Sequence, residues 1–350
     1  MTTTSDTTPG TRTTGWGILG PGRISRKFAA DRALVDDAAL VAVGSRSLER
    51  ATTFAAEHGG TAYGSYAELV ADPGVEVVYV ASPHSEHLAH VRLALEAGKH
   101  VLCEKPVALR ADDAREMVRL ASEHGLFFME AMWTACHPVV RALLERLASG
   151  ELGTPRQLRG ELGFRAGDDP TDRLVAPDLG GGALLDMGIY PLTLAHLVLG
   201  AAEAVSGTAV LTEDGIDLDV AMAGRYPGGA VAAMSASLSS WSDRSAAIAT
   251  DTGRIELTGQ LHNPDAAVFT AYVDGSPSGE PVVITGDEHV IGRGYGNEAA
   301  EVGRCLREGL LASPLVPHAQ TLAIMDSLDV LRRQLGIRYP DDPAGWAEPR

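Results

Sequence analysis

The sequence predicts an α/β protein whose N-terminal part is a doubly wound parallel sheet and whose later part is largely antiparallel. A short apolar run stops at Gly20-Pro21-Gly22 and a helical stretch follows directly. Strand-like and helix-like stretches then alternate as far as Met129. Beyond Pro155 the pattern changes to short strand-like runs joined by Gly-rich turns such as Pro227-Gly228-Gly229 and Asp251-Thr252-Gly253. Strand-helix alternation is the mark of parallel sheets, and tight turns between consecutive runs mark antiparallel hairpins.

In order, the predicted strands of the first part are Gly15 to Leu19, Leu40 to Val43, Val75 to Ala81, Lys99 to Cys103 and Leu126 to Met129. The helices between them are Ile24 to Ala30, Glu49 to His58, Ser85 to Ala97 and Ala111 to His124. In the second part the strands are 157–163, 204–211, 218–226, 230–237, 245–250 and 254–257, with a helix over 183–198. At 350 residues the chain suits two domains. The expected division is a disordered tail over 1–13, a nucleotide-binding domain over 14–135 and a second domain over 136–350.

A net charge of −17 argues against a phosphate-backbone binder, so no nucleic-acid partner is expected. No run of about 18 continuous apolar residues is uninterrupted by charges or turn residues, so no membrane span is expected either. Cys103, Cys136 and Cys305 are too few and too scattered for a disulfide framework or a thiolate metal site, which fits a reducing cytoplasm. The threonine-rich start resembles neither signal peptide nor anchor.

Gly20 and Gly22 sit where a strand gives way to a helix, the place where backbone N–H groups receive a pyrophosphate. Gly20, Gly22, Arg23 and Ile24 are therefore candidate dinucleotide contacts. At the end of the second strand the chain reads Ser45-Arg46-Ser47, with no carboxylate to accept ribose hydroxyls and a guanidinium to meet a 2′-phosphate. That favours NADP, with NAD possible if Arg46 only stacks on adenine. Ser82, Pro83, His84 and His87 leave the strand that ends at Ala81 and border the expected nicotinamide end of the crevice. His84, His87 and His90 lack a completing carboxylate or thiolate cluster, so no metal site is expected.

Lys105 stands out because the chain uses arginine for 26 of its 29 basic residues, leaving only Lys27, Lys99 and Lys105. Lysine can surrender a proton where arginine cannot. Together with Glu104, it ends a strand beside the expected cofactor. Asp186 and Tyr190 are four residues apart, so a helix over 183–198 puts both on one face, approached freely past Gly180-Gly181-Gly182.

Gly20-x-Gly22-x-x-Ser25, Ala81-Ser82-Pro83-His84, Glu104-Lys105-Pro106 and the stretch Gly180-Gly181-Gly182-Ala183-Leu184-Leu185-Asp186-Met187-Gly188-Ile189-Tyr190-Pro191 resemble, in this order, the glucose-fructose oxidoreductase/inositol dehydrogenase (Gfo/Idh/MocA) family over residues 14 to 335. Met129 to Thr134 and Tyr190 look most like its dihydrodiol dehydrogenase and NADP-xylose dehydrogenase branch. The resemblance implies an N-terminal Rossmann domain and a C-terminal α/β domain with an open, mostly antiparallel sheet, through which a homodimer or higher homo-oligomer forms. It also implies that Lys105 contacts the reacting oxygen, that Pro106 fixes the direction of the lysine, and that Tyr190 relays the proton where many relatives have histidine. An ordinary tyrosine pKa of ~10 requires a nearby cation, and Lys105 is expected to supply it.

The expected activity is hydride transfer between NADP(H) and a hydroxyl or carbonyl of a small-molecule substrate: a sugar, polyol or trans-dihydrodiol. A sugar 3-ketoreductase and a non-catalytic NADP(H) sensor are the alternatives. Trp133, Arg165, Asp169, Arg173 and Asp178 are the expected substrate contacts.

Overall fold

Six strands build the first sheet of the computed structural model, which describes residues 13–167 and 169–346. Apart from Thr13, the tail expected over 1–13 lies outside the described residues. The strands are β1 (Thr14–Leu19), β2 (Ala38–Gly44), β3 (Thr61–Tyr63), β4 (Val77–Val80), β5 (His100–Glu104) and β6 (Phe128–Ala131). Every pairing is parallel, in the order β3-β2-β1-β4-β5-β6. Helices α1 (Arg23–Arg32), α2 (Leu48–His58), α3 (Tyr66–Ala71), α4 (His87–Glu96) and α5 (Ala111–His124) make the crossovers. The near-continuous apolar runs fit this arrangement, because helices cover both faces of the sheet. Phe28 of α1 stacks on Tyr79 of β4 at 3.9 Å between centroids, sealing α1 to the sheet.

The strand order reverses between β1 and β4, and a crevice opens where their C-terminal ends part. Sequence reading missed β3 and α3. Both are short, and β3 is only three residues at the sheet edge.

Helices α6 (Trp133–Cys136) and α7 (Pro138–Ala148) lead into the second sheet. Its strands are β7 (Pro155–Gly163), β8 (Ala204–Leu211), β9 (Asp217–Arg225), β10 (Val231–Ser237), β11 (Ala246–Thr250), β12 (Gly253–Gln260), β13 (Asn263–Val273) and β14 (Ser276–Ile284). The order is β14-β13-β12-β11-β7-β10-β9-β8, antiparallel throughout except for the parallel pair β7 and β10. Both predicted hairpins are present, at Pro227–Gly229 between β9 and β10 and at residues 251–252 between β11 and β12.

The helix expected over 183–198 is a π-turn, Leu184–Gly188, continued by α8 (Ile189–Leu199). It lies against β7. The apolar stretch Pro177–Leu199 is long enough to cross a membrane by length and composition, yet 83% of its 18-residue apolar window is buried inside the protein. Helices α9 (Tyr295–Arg307) and α10 (His318–Leu335) complete the chain and pack back on α1 and α5 respectively.

Buried carboxylates secure the starts of three of these helical segments from other elements. Asp31 of α1 accepts from the Arg293 and Tyr295 N–H groups at the start of α9. Asp329 of α10 accepts from Ala111 N–H at the start of α5. Asp217, wholly buried at the head of β9, accepts from Leu184 N–H at 2.5 Å and so holds the π-turn. Gly182 has φ of 128°, and a Cβ there would lie 2.3 Å from the Asp217 carboxylate. Only glycine permits this approach.

Candidate functional site

A cleft of about 1290 Å³ runs from the glycine turn after β1 to the π-turn before α8. At its first end Gly20 has φ of 93°, and the Gly22 N–H donates to the Gly20 carbonyl at 2.8 Å. Ser25 closes the same turn by donating its hydroxyl to that carbonyl at 2.6 Å. A Cβ on Gly22 would meet nothing nearer than 4.0 Å, so the face of the turn is open to a ligand. A dinucleotide fits these residues: the turn leads into α1, whose first N–H groups have no side-chain cap.

Ser45, Arg46, Ser47, Arg50 and Tyr66 line the cleft beside the turn. Burial raises the phenol of Tyr66 against the pull of the Arg46 and Arg50 charges beside it. Two guanidiniums thus converge where a 2′-phosphate is expected. Sequence reading found Arg46 and missed Arg50, although a spacing of four across the start of α2 was a usable signal.

The far end gathers Glu104, Lys105, Trp133, Arg173, Asp186, Tyr190 and Tyr295. Lys105 Nζ donates to the Asp186 carbonyl at 2.8 Å and to Asp186 Oδ1 at 3.0 Å. It also lies 4.8 Å from the centre of the Tyr190 ring. Arg173 donates to the same Oδ1 at 3.2 Å, while Asp186 Oδ2 is buried without a partner. Burial works to raise the Asp186 pKa, but the Lys105 and Arg173 charges prevail and hold the carboxyl below its usual range. The Lys105–Pro106 peptide is cis.

The Tyr190 hydroxyl accepts from Trp133 Nε1 at 3.2 Å, and Trp133 stacks on Tyr295 at 4.4 Å. Burial pushes the Tyr190 phenol well above its ordinary value, and the charges of Glu104 and Asp186 push it further. The expectation that Lys105 brings the phenolate within reach is therefore corrected. The ammonium is engaged by Asp186 and faces the ring, and Tyr190 is held as a neutral phenol.

Ile24, Arg23, Ser82, Pro83, His84, Trp133, Asp169 and Arg173 all line the cleft as expected from sequence, with Arg23 at the glycine turn. His87, Arg165 and Asp178 do not. His87 is wholly buried behind the wall, its ring bridging the Ser82 carbonyl at 3.0 Å and the Pro106 carbonyl at 3.0 Å. It therefore shapes the strand ends rather than meeting a ligand. Arg165 and Asp178 are exposed. His84 places Nδ1 3.0 Å from the Gly180 carbonyl, and burial, then the Arg173 charge, lowers its pKa to about 3.

Phe164, Thr171, Asp172, Leu174, Leu179 and Tyr295 also line the cleft and went unread in the sequence. They come from loops or distant elements that no local pattern links. Glu130 is a hidden support. Its carboxylate accepts from Val107 N–H at 3.1 Å and from the Thr321 hydroxyl at 3.0 Å, steadying the segment after Lys105.

Residues 14–132 match the model of the GFO_IDH_MocA oxidoreductase family, NAD-binding Rossmann fold, and residues 140–260 match the GFO/IDH/MocA C-terminal domain. The chain belongs to the Gfo/Idh/MocA family. It is 37% identical over 332 residues to the trans-1,2-dihydrobenzene-1,2-diol dehydrogenase of Bos taurus, covering 93% of this chain and 98% of that protein. The enzyme of the same name from Homo sapiens is 36% identical over 332 residues, with the same coverage of both chains. Among solved structures, a 3-ketoreductase from Actinomadura kijaniata in complex with NADP superposes with a TM-score of 0.82 at 23% identity, covering 93% of this chain and 98% of that one. That likeness concerns the fold.

Proposed function

We propose that this member of the family is an NADP(H)-dependent dehydrogenase of vicinal diols, of the trans-dihydrodiol or sugar type. The observation that carries the reading is the convergence of Lys105, Asp186 and Tyr190 at the end of the same cleft that begins at the glycine turn. The dihydrodiol dehydrogenases at 36–37% identity over nearly the whole chain support the substrate class.

When bound, the nicotinamide supplies the hydride acceptor or donor. The residues do the rest. Lysine ammonium has three N–H groups, of which Asp186 takes two, leaving one for the reacting oxygen. Trp133 occupies a lone pair of the Tyr190 hydroxyl, so the proton of that phenol is free to point at the same oxygen. In the reducing direction Tyr190 gives this proton to the carbonyl oxygen, with Lys105 stabilising the developing negative charge; in oxidation Tyr190 must first lose its proton to solvent, and the phenolate then takes the proton of the substrate hydroxyl. Among the cofactors, Arg46 and Arg50 select NADP through its 2′-phosphate.

The test is nicotinamide absorbance with a panel of trans-dihydrodiols, aldopentoses and polyols. Turnover of vicinal diols with NADP is the expected result. Tight NADPH binding without turnover of any of them would instead favour the sensor.

The second sheet leaves one face open, with Val210, Val231, Val283 and Trp241 exposed. A homodimer formed across this face belongs to the proposal and is tested by sedimentation of the wild type against Val231→Lys. The three buried, unpaired cysteines agree with a cytoplasmic setting.

A further inference from the structure

One turn of the second domain touches both ends of the cleft through two adjacent residues. Asp172 accepts from Arg23 Nη2 at 2.8 and 3.1 Å, and Arg173 donates to Asp186 at 3.2 Å. Arg23 is the first residue of α1, directly after the glycine turn, whereas Asp186 holds Lys105. The turn is internally braced. Asp172 Oδ1 accepts from Leu174 N–H at 3.0 Å, the Asp172 carbonyl accepts from Val175 and Ala176, and Leu174 O accepts from Gly182. Asp169 Oδ1 in turn accepts from Thr171 N–H at 2.9 Å and its hydroxyl at 2.7 Å. A displacement at Asp172 therefore carries Arg173 with it.

We infer that Asp172 is a positioning residue that ties the dinucleotide to the hydroxyl-binding end: Asp172 grips Arg23 over the bound pyrophosphate, and Arg173 on the same turn fixes Asp186 for the substrate. The inference rests on the dinucleotide reading above. A guanidinium has five N–H donors, and Asp172 occupies only the Nη2 end, so the remaining edge is available to a phosphate oxygen beside the start of α1. The carboxylate and the pyrophosphate then share one cation. Asp172 does not touch the reacting atoms; it acts through Arg23 and Arg173.

The tie has a kinetic signature that does not depend on turnover. The full-length protein loaded with NADPH is mixed with excess adenosine 2′,5′-bisphosphate, a redox-inert competitor for the dinucleotide site, and release is followed by loss of nicotinamide fluorescence, with and without trans-cyclohexane-1,2-diol. Asp172→Asn keeps an oxygen for Leu174 N–H and removes the charge. The Arg23–Asp172 pair is largely exposed on the arginine side, so release is expected to quicken by about two- to fivefold, the scale of an exposed ion pair. The diol slows release in the wild type, and that slowing disappears in Asp172→Asn.

Arg23→Ala approaches the tie from its exposed partner. Placed in the Asp172→Asn background it adds less than its effect in the wild type, because the pair is already broken. Release from Asp172→Asn at the wild-type rate, additive effects of the two substitutions, or a diol effect equal in both proteins or absent from the wild type would overturn the tie. Failure of the wild type to bind NADPH would overturn the dinucleotide reading itself, a result distinct from an unaltered release rate.

Discussion

Trp133 Nε1 donates to the Tyr190 hydroxyl at 3.2 Å, so the indole decides which way the proton of the phenol points. The charges of Glu104 and Asp186 add to burial in keeping that proton in place. Tyr190→Phe is expected to lower turnover by about 10²- to 10⁴-fold, the usual worth of a placed acid or base. NADPH affinity measured by fluorescence titration should hardly change. A turnover within threefold of wild type would remove Tyr190 from the proton step.

Lys105→Met takes away the ammonium that Asp186 orients. The expected loss in kcat is about 10²- to 10³-fold, comparable with deleting one donor to a developing oxyanion. Lys105→Arg should not restore the rate, because a guanidinium nitrogen that makes both contacts to Asp186 has no third N–H left for the reacting oxygen. Steady-state kinetics of the two variants decide the matter.

Arg46→Ala and Arg50→Ala are each expected to raise the KM for NADP by roughly 10-fold or more, as loss of a charged hydrogen bond of about 1.5–3 kcal/mol implies. The KM for NAD should remain nearly constant. Equal changes for the two cofactors would show that these guanidiniums do not read the 2′-phosphate.

Burial raises the Glu130 pKa to about 7 despite the Thr321 and Val107 donors. Between the ordinary carboxyl value near 4.5 and that figure, the folded protein retains a proton that the unfolded chain has released. Stability therefore falls as pH rises through this window and levels off above it. The penalty at neutral pH is on the order of 3 kcal/mol, at ~1.4 kcal/mol per unit. Glu130→Gln should flatten this part of the profile of melting temperature against pH, and an unchanged slope from pH 5 to 7 would exclude Glu130 as its source.

Asp217 pins Leu184 and thereby the turn that carries Asp186 and Tyr190. Asp217→Ala should cost about 1–3 kcal/mol of stability, as expected for an orphaned buried N–H. It should also lower kcat more than it weakens NADP binding, because the glycine turn lies at the other end of the cleft. Asp217→Asn, which retains an acceptor, should recover most of the rate.

The glycine turn, Lys105, Asp186, Tyr190 and Trp133 were legible because each sits in a short local pattern at a strand end or on a helix. His87, Arg165 and Asp178 fall outside the cleft lining for the opposite reason: their neighbourhoods reach the cleft, but the direction of a side chain is set by tertiary packing. Asp172, Asp217 and Glu130 act across long sequence separations that no local period records. Strands β13 and β14 escaped notice as well. Every residue of β14 except Ile284 is exposed, so the apolar alternation that reveals a half-buried strand is missing.

The scarcity of lysine gives the cleft a chemical consequence. Lys99 is held by the Asp72 and Val75 carbonyls at 2.9 and 2.8 Å, and Lys105 faces the cleft beside Tyr190. Reductive methylation of this chain has three side-chain amines to find, so a peptide mass map becomes an occupancy gauge. Lys27 lines the cleft beside the glycine turn and Lys105 its far end, so shielding of both peptides by NADP, with Lys99 unaffected, reports the dinucleotide along its whole length without any substitution.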